Sequence, residues 1–290
     1  MNRRRLVLLT VCAASAGSSG CLAQDASVGS AAPAPATAAA PAPPAAASPS
    51  AWHPDDRLTL TGNGATLSNT NGGGGGSVGY LHELSPNTLI GAGVEYQSLY
   101  TADWTFGSLN AAYSHALSAT TRWDVHGEIH EGAGSTAGQS FKYAIEALGV
   151  GASIPGGLAV DLEDRQIDVA TSHGSLPKIA LSKAWGTRWL TTVAYAYSAG
   201  GNLNTEYSLA RIDYYGSVVN LLAGGSIGRV NPVVLSIDGV LEGQTRHLNE
   251  VFAGVTKSFG RLDLTLLADD IDLAGSKHFV GTLSGTLHFR

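Results

Sequence analysis

From Arg57 to the carboxyl terminus, apolar and polar residues alternate with a period of two, and this pattern restricts the fold more than any other feature. Successive side chains of a strand point to opposite faces, so the alternation collects the apolar residues on one side. Ile90, Ala92, Val94 and Tyr96 share a face, as do Gly107, Leu109, Ala111 and Tyr113, and then Trp123, Val125, Gly127 and Ile129. Further sets are Val219, Leu221, Ala223, Gly225 and Ile227, then Leu262, Leu264, Leu266 and Ala268, and finally the odd-numbered residues from Phe279 to Phe289. No helix-period segment of comparable length interrupts them, so the region reads as all-β.

Tight turns punctuate the strands at Ser85-Pro86-Asn87-Thr88, Ser118-Ala119-Thr120-Thr121, Pro155-Gly156-Gly157, Gly186-Thr187-Arg188, Tyr215-Gly216-Ser217 and Phe259-Gly260-Arg261. Each interval between them holds two strands of about 9–13 residues and a looser connection, as in a barrel with short periplasmic turns and longer surface loops. Asn69 to Gly76, Gly132 to Gly138 and Ala199 to Asn204 are the expected loose connections, and Arg229 to Arg246 a long surface loop with a strand-like centre at Pro232–Ile237. The fold class is a transmembrane antiparallel up-and-down β-barrel of about 14 strands, with 12 or 16 as neighbouring even solutions and both termini on the periplasmic side.

Composition fits that frame. Charged residues make up 14% of the chain and 37 of its 290 residues are Gly, against about 25% and about 7% in globular proteins. A net charge of −6 argues against general nucleic-acid binding. No apolar run is long enough for a transmembrane helix, a test that strands escape. Arg3-Arg4-Arg5 followed by the apolar stretch Leu6 to Ala16 reads as a signal peptide over residues 1–23. Cleavage after Ala23 is the preferred processing, with lipid attachment at Cys21 as its rival. Residues 24–56, rich in Ala and Pro, read as a disordered periplasmic tether, and residues 57–290 as the barrel.

Trp123, Trp185, Trp189, Phe259 and Phe289 fall beside tight turns or at the same strand ends, where an aromatic girdle meets outer-membrane lipid. On the opposite face, Asp124, His126, Glu128 and His130 share even parity and would line the lumen. Lys142, Glu146, Asp161, Glu163, Arg165 and Asp263 join them from other strands. Two His and two carboxylates could bind a metal or move protons, but ligands must converge on one ion, and a single extended strand does not achieve that without its neighbours. The expectation is therefore a hydrated, mutually paired lumen, with no metal, cofactor or catalytic residue assigned. Ser172-His173, placed in a surface loop, and Asp269-Asp270-Ile271-Asp272, near another, read as ordinary loop residues. Gly72–Gly76 lacks the Lys-Ser/Thr of a phosphate loop and reads as a flexible loop.

Several short motifs resemble the YaiO-type outer-membrane β-barrel family. They are Arg165-Gln166-Ile167-Asp168-Val169, Leu181-Ser182-Lys183-Ala184-Trp185-Gly186, Tyr197-Ser198-Ala199-Gly200-Gly201, Asp213-Tyr214-Tyr215-Gly216 and Ala223-Gly224-Gly225-Ser226-Ile227-Gly228-Arg229. The resemblance implies an exported barrel in the outer membrane, delivered to the barrel-assembly machinery, and carries over no catalytic residues. Related barrel domains occur in exopolysaccharide secretion, so a non-enzymatic pore or export barrel for polysaccharide or a small polar solute is expected. A lipid-directed barrel enzyme and a structural envelope partner are the alternatives. One departure is that Arg290 follows the aromatic Phe289, where such barrels usually end on the aromatic residue.

Overall fold

A computed structural model describes residues 55–67, 70–99, 102–118, 120–136, 139–231 and 245–289. The expected leader, the tether up to residue 54, Cys21 and the strand-like Pro232–Ile237 lie outside the described residues, while Asp56, expected at the end of the tether, opens the first strand. The strands are β1 (Asp56–Leu67), β2 (Thr70–Ser85), β3 (Thr88–Leu99), β4 (Ala102–Ala116), β5 (Arg122–Thr136), β6 (Gln139–Ile154) and β7 (Leu158–Val169). Then follow β8 (Ser172–Trp185), β9 (Trp189–Tyr197), β10 (Glu206–Tyr215), β11 (Val219–Val230), β12 (Arg246–Phe259), β13 (Leu262–Leu273) and β14 (Ser276–Phe289). Each pairs antiparallel with its sequence neighbours, and β1 pairs with β14 from Asp56 against Phe289 to Leu67 against His278, closing the 14-stranded barrel. Closure leaves neither β1 nor β14 as an edge strand.

The end where β1 begins and β14 finishes is the near end. The tight turns read from sequence lie there, helped by glycines in left-handed conformations: Gly156 (φ 88°), Gly157 (φ 76°), Gly186 (φ 67°) and Gly260 (φ 68°). At the far end the expected loose connections are corrected. Gly72–Gly76 is part of β2, paired with β1 on one side, and Gly132–Thr136 belongs to β5. Glycine normally weakens a strand, but here it admits close neighbours. A Cβ on Gly75 would stand 2.3 Å from Gln97 Oε1, and one on Gly132 2.1 Å from the Thr105 carbonyl oxygen. Ala199 to Asn204 does connect β9 to β10 outside the strands.

Hydrophobicity changes face along the strands. Near the near end the outward residues are apolar: Leu158, Val160 and Leu162 on β7, Leu148, Val150, Ala152 and Ile154 on β6, Leu262, Leu264 and Leu266 on β13. Further along the same strands the outward residues become Asp164, Gln166 and Asp168, then Glu146 and Lys142, and then Asp270 and Asp272. The inward residues change the opposite way. At the far end Trp104, Phe106, Tyr143, Ile145, Ile167, Val169, Leu176, Leu248, Ile271 and Leu273 form one buried apolar cluster with Leu203 of the β9–β10 connection.

Two outward aromatic belts border the apolar band. In the near belt Trp123 packs edge-on against Tyr113, Trp189 lies tilted against Tyr214, and Lys183 and Lys257 reach over Trp185 and Phe259. Trp185, Phe259 and Phe289 are among its exposed rings. The other belt contains Tyr96, Tyr195, Tyr197 and Phe279; Tyr195 donates from its hydroxyl to Glu206 at 2.7 Å and Tyr96 to Asp103 at 3.3 Å. Along β9 and β14, from Trp189 to Tyr197 and from Phe289 to Phe279, the belts are eight to ten residues apart. With a rise of about 3.3 Å per residue and a tilt of about 40°, the band is roughly 20–25 Å tall.

Candidate functional site

The densest set of charged side chains inside the barrel comes from β5, β7 and β8, and the register explains how they meet. Asp124 of β5 is opposite Gly151 of β6, which is opposite Asp161 of β7. One step further, His126 is opposite Gly149, and Gly149 opposite Glu163, which pairs in turn with Lys178 of β8. At both levels β6 contributes no side chain. A Cβ at Gly149 would stand 2.2 Å from His126 Nε2, and one at Gly151 2.6 Å from an Asp124 carboxylate oxygen. The two glycines therefore open a gap through which side chains of strands that are not neighbours reach each other.

Glu163 is the hub of this set. Lys178 Nζ lies 3.1 Å and Arg165 Nη2 3.3 Å from its Oε1, while His126 Nε2 lies 3.6 Å from Oε2. Arg165 Nη2 also donates to Glu128 Oε1 at 3.0 Å, and His130 Nε2 lies 3.3 Å from Glu128 Oε2. Away from bulk water such pairs attract strongly, but they must offset the loss of hydration. Asp161 is held differently. Its side chain is 1% exposed, neither carboxylate oxygen accepts a hydrogen bond, and its ion-pair contact is His126 Nε2 at 3.9 Å.

Of the residues singled out by sequence, Asp124, His126, Glu128, His130, Asp161, Glu163 and Arg165 are brought together on the inward face. Asp263 is also inward but stands at the near end, where His288 bridges Asp263 at 3.1 Å and Asp55 at 3.2 Å, and Arg57 pairs with Asp55 at 3.4 Å. The placement of Lys142 and Glu146 in the lumen is corrected. Both belong to the outward face of β6 beyond the apolar band, and Lys142 pairs with Asp168 outside the barrel at 3.4 Å. Sequence reasoning missed Lys178, although its even parity with Ala180 and Ser182, opposite Ile179 and Leu181, was the signal. It also missed the buried pair Glu250 and Asp269 on β12 and β13, where Ser226 donates to Glu250.

Ser172 and His173 open β8 instead of lying in a loop, and they point to opposite faces. Ser172 is buried and accepts from Asn231 Nδ2 at 3.2 Å, while His173 is exposed, so the two do not form a nucleophile–base pair. Asp269 and Ile271 likewise face inward while Asp270 and Asp272 face outward, which disperses that acidic run.

No family model matches the chain, and no curated protein does. Solved structures do match. A channel titled CymD monoaromatic hydrocarbon channel is 10% identical, with a TM-score of 0.53, over 94% of this chain and 93% of its own. A bacterial polysaccharide outer membrane secretin is 9% identical with a TM-score of 0.49, over 81% and 98%. The Pseudomonas putida toluene transporter TodX is 12% identical with a TM-score of 0.49, over 81% and 90%. At these identities the likeness to CymD is one of fold, the closed antiparallel barrel.

Proposed function

We propose that the chain is a bacterial outer-membrane channel, exported by its leader, that passes a polar solute and is shut at its far end. The observation that carries the reading is the height at which hydrophobicity changes face. Between the aromatic belts the outside is apolar and the inside is charged and hydrogen-bonding, as a bilayer around and water within require. The roughly 25 Å band typical of outer-membrane barrels agrees with the belt spacing. Beyond it the polarity reverses, as suits a segment standing in water around an apolar centre. There Phe106, Ile145, Ile271 and Leu248 are at most 6% exposed, so they do not border an open aqueous path.

Polysaccharide is the cargo favoured by the resemblance to YaiO-type barrels, and the charged inner wall offers the hydrogen-bonding groups that a hydroxyl-rich chain requires. In planar-bilayer recordings the wild type should show little conductance. Phe106→Ser with Ile271→Ser should open steady currents, which a soluble anionic or neutral polysaccharide then blocks. Silence of the double variant, in protein shown folded by heat-modifiable gel migration, would remove the channel reading; currents unaffected by polysaccharide would remove that cargo.

A further inference from the structure

We propose that Asp124, His126 and Asp161 form a binding site for a divalent first-row transition ion such as Zn²⁺, reached from the near end of the barrel. One ligand atom from each lies within 4.8 Å of the others. Donor atoms about 2.1 Å from a common ion stand about 3.4 Å apart in a tetrahedral set and never more than about 4.2 Å, so modest side-chain adjustment closes the set. His126 stands between the two acids, its Nδ1 3.4 Å from Asp124 Oδ2 and its Nε2 3.9 Å from Asp161 Oδ2, and a turn of the ring brings one of these nitrogens to the ion.

Three observations point to a cation. The first is Asp161 itself: a carboxylate buried this deeply without a donor on either oxygen is unfavourable, and a cation supplies what the protein does not. His126 Nε2 faces the same space and also makes no hydrogen bond. The second is charge. Glu163, the other acid beside His126, is already countered by Lys178 and Arg165. That leaves Asp124 and Asp161, two negative charges, to match a divalent ion around a neutral imidazole. The third is construction. Gly149 and Gly151 hold open the gap that lets ligands on β5 and β7 converge across β6. Convergence is the requirement that a single strand could not meet.

The donor set selects the ion class. One imidazole nitrogen and two carboxylates suit Zn²⁺, Co²⁺ or Mn²⁺ better than Ca²⁺, which takes six to eight oxygens. Three protein ligands leave a position for water or solute. Asp124 is the most exposed of the three, its side chain being 19% accessible against 8% for His126, and it stands on the near-end side.

The full chain, folded in detergent without a histidine tag, is titrated with Co²⁺ and the ion is displaced with Zn²⁺. The expected result is one saturable Co²⁺ per barrel. Asp161→Asn and His126→Gln should each weaken binding at least about tenfold, since loss of even a partner behind a ligand costs about that much, while His173→Gln on the outer face leaves it unchanged. Absence of saturable binding by the wild type, or equal affinity in Asp161→Asn and His126→Gln, overturns the site. Should those variants not fold, X-ray absorption of the Zn²⁺-loaded wild type decides. A single imidazole with oxygen ligands supports the site, and two or more imidazoles refute it.

Discussion

At the residue scale the barrel is organised by what its glycines leave out. Gly132 of β5 is opposite Phe106 on one side and Tyr143 on the other, and through the space it leaves those rings stack with centroids 4.7 Å apart and planes 9° from parallel. Gly149 and Gly151 do the same for charged groups. On the outer face, Gly62, Gly64 and Gly281 have nothing within 4 Å of a Cβ. The two kinds should therefore respond differently to the same change. Gly132→Val must displace the Phe106–Tyr143 stack and should cost about 1–3 kcal/mol, the usual range for overpacking. Gly281→Val adds a β-branched side chain on an open surface and should be neutral or slightly stabilising. Urea unfolding of both variants in the same lipid vesicles checks the contrast; equal losses would mean that the gaps are not what the inward glycines provide.

At the element scale each strand carries two patterns end to end. On β7 the outward residues run Leu158, Val160, Leu162, then Asp164, Gln166, Asp168, while inward Asp161, Glu163 and Arg165 give way to Ile167 and Val169. Leu162→Arg would put a charge into the apolar band at a cost of about 2–4 kcal/mol. Gln166→Arg, two outward positions further, should stay within about 0.5 kcal/mol, as surface changes do. Equilibrium unfolding from vesicles measures both, and similar costs would mean that the band does not end between them. The change of face also explains what the sequence made legible. The apolar sets, the near-end turns, the count of 14 strands and the ladder from Asp124 to His130 were all readable, because within one half of a strand the alternation has a single phase. The chemistry of Lys142 and Glu146 suggests the interior, yet they share parity with the outward Leu148 and Val150. On β6 that parity was hidden because Tyr143 and Ile145 are apolar in the other phase. Strand length is illegible for a related reason: glycine runs carry no alternation, so their backbone pairing leaves no trace in side-chain pattern. The convergence at Asp161 needed the register across β6, which no single strand encodes.

At the scale of the whole molecule, an even strand count and the pairing of β1 with β14 put the start of β1 and the finish of β14 at one end and the polar outward segments at the other. A bilayer seated between the aromatic belts then leaves the far third of β5 to β8 in water on the side away from the start of β1. On the proposed route of export and insertion, which leaves both ends of the barrel on the periplasmic side, that third should stand at the cell surface. The chain has two Cys, Cys12 and Cys21, both ahead of the barrel, which leaves the strands and turns available for single reporters. Gln166→Cys, outward beyond the band, should react with a membrane-impermeant maleimide on intact cells. Ser217→Cys, in the near-end turn between β10 and β11, should react only after the outer membrane is permeabilised. The opposite pattern would mean an inverted barrel, and labelling of both on intact cells would mean that no outer membrane separates them. Because the far end is filled with apolar side chains while the near end holds the ion pairs of Asp55, Arg57, Asp263 and His288, this orientation also decides which compartment the charged interior faces. In the proposed orientation the charged chamber would take its solute from the periplasm, and the apolar cluster would be the last barrier before the outside.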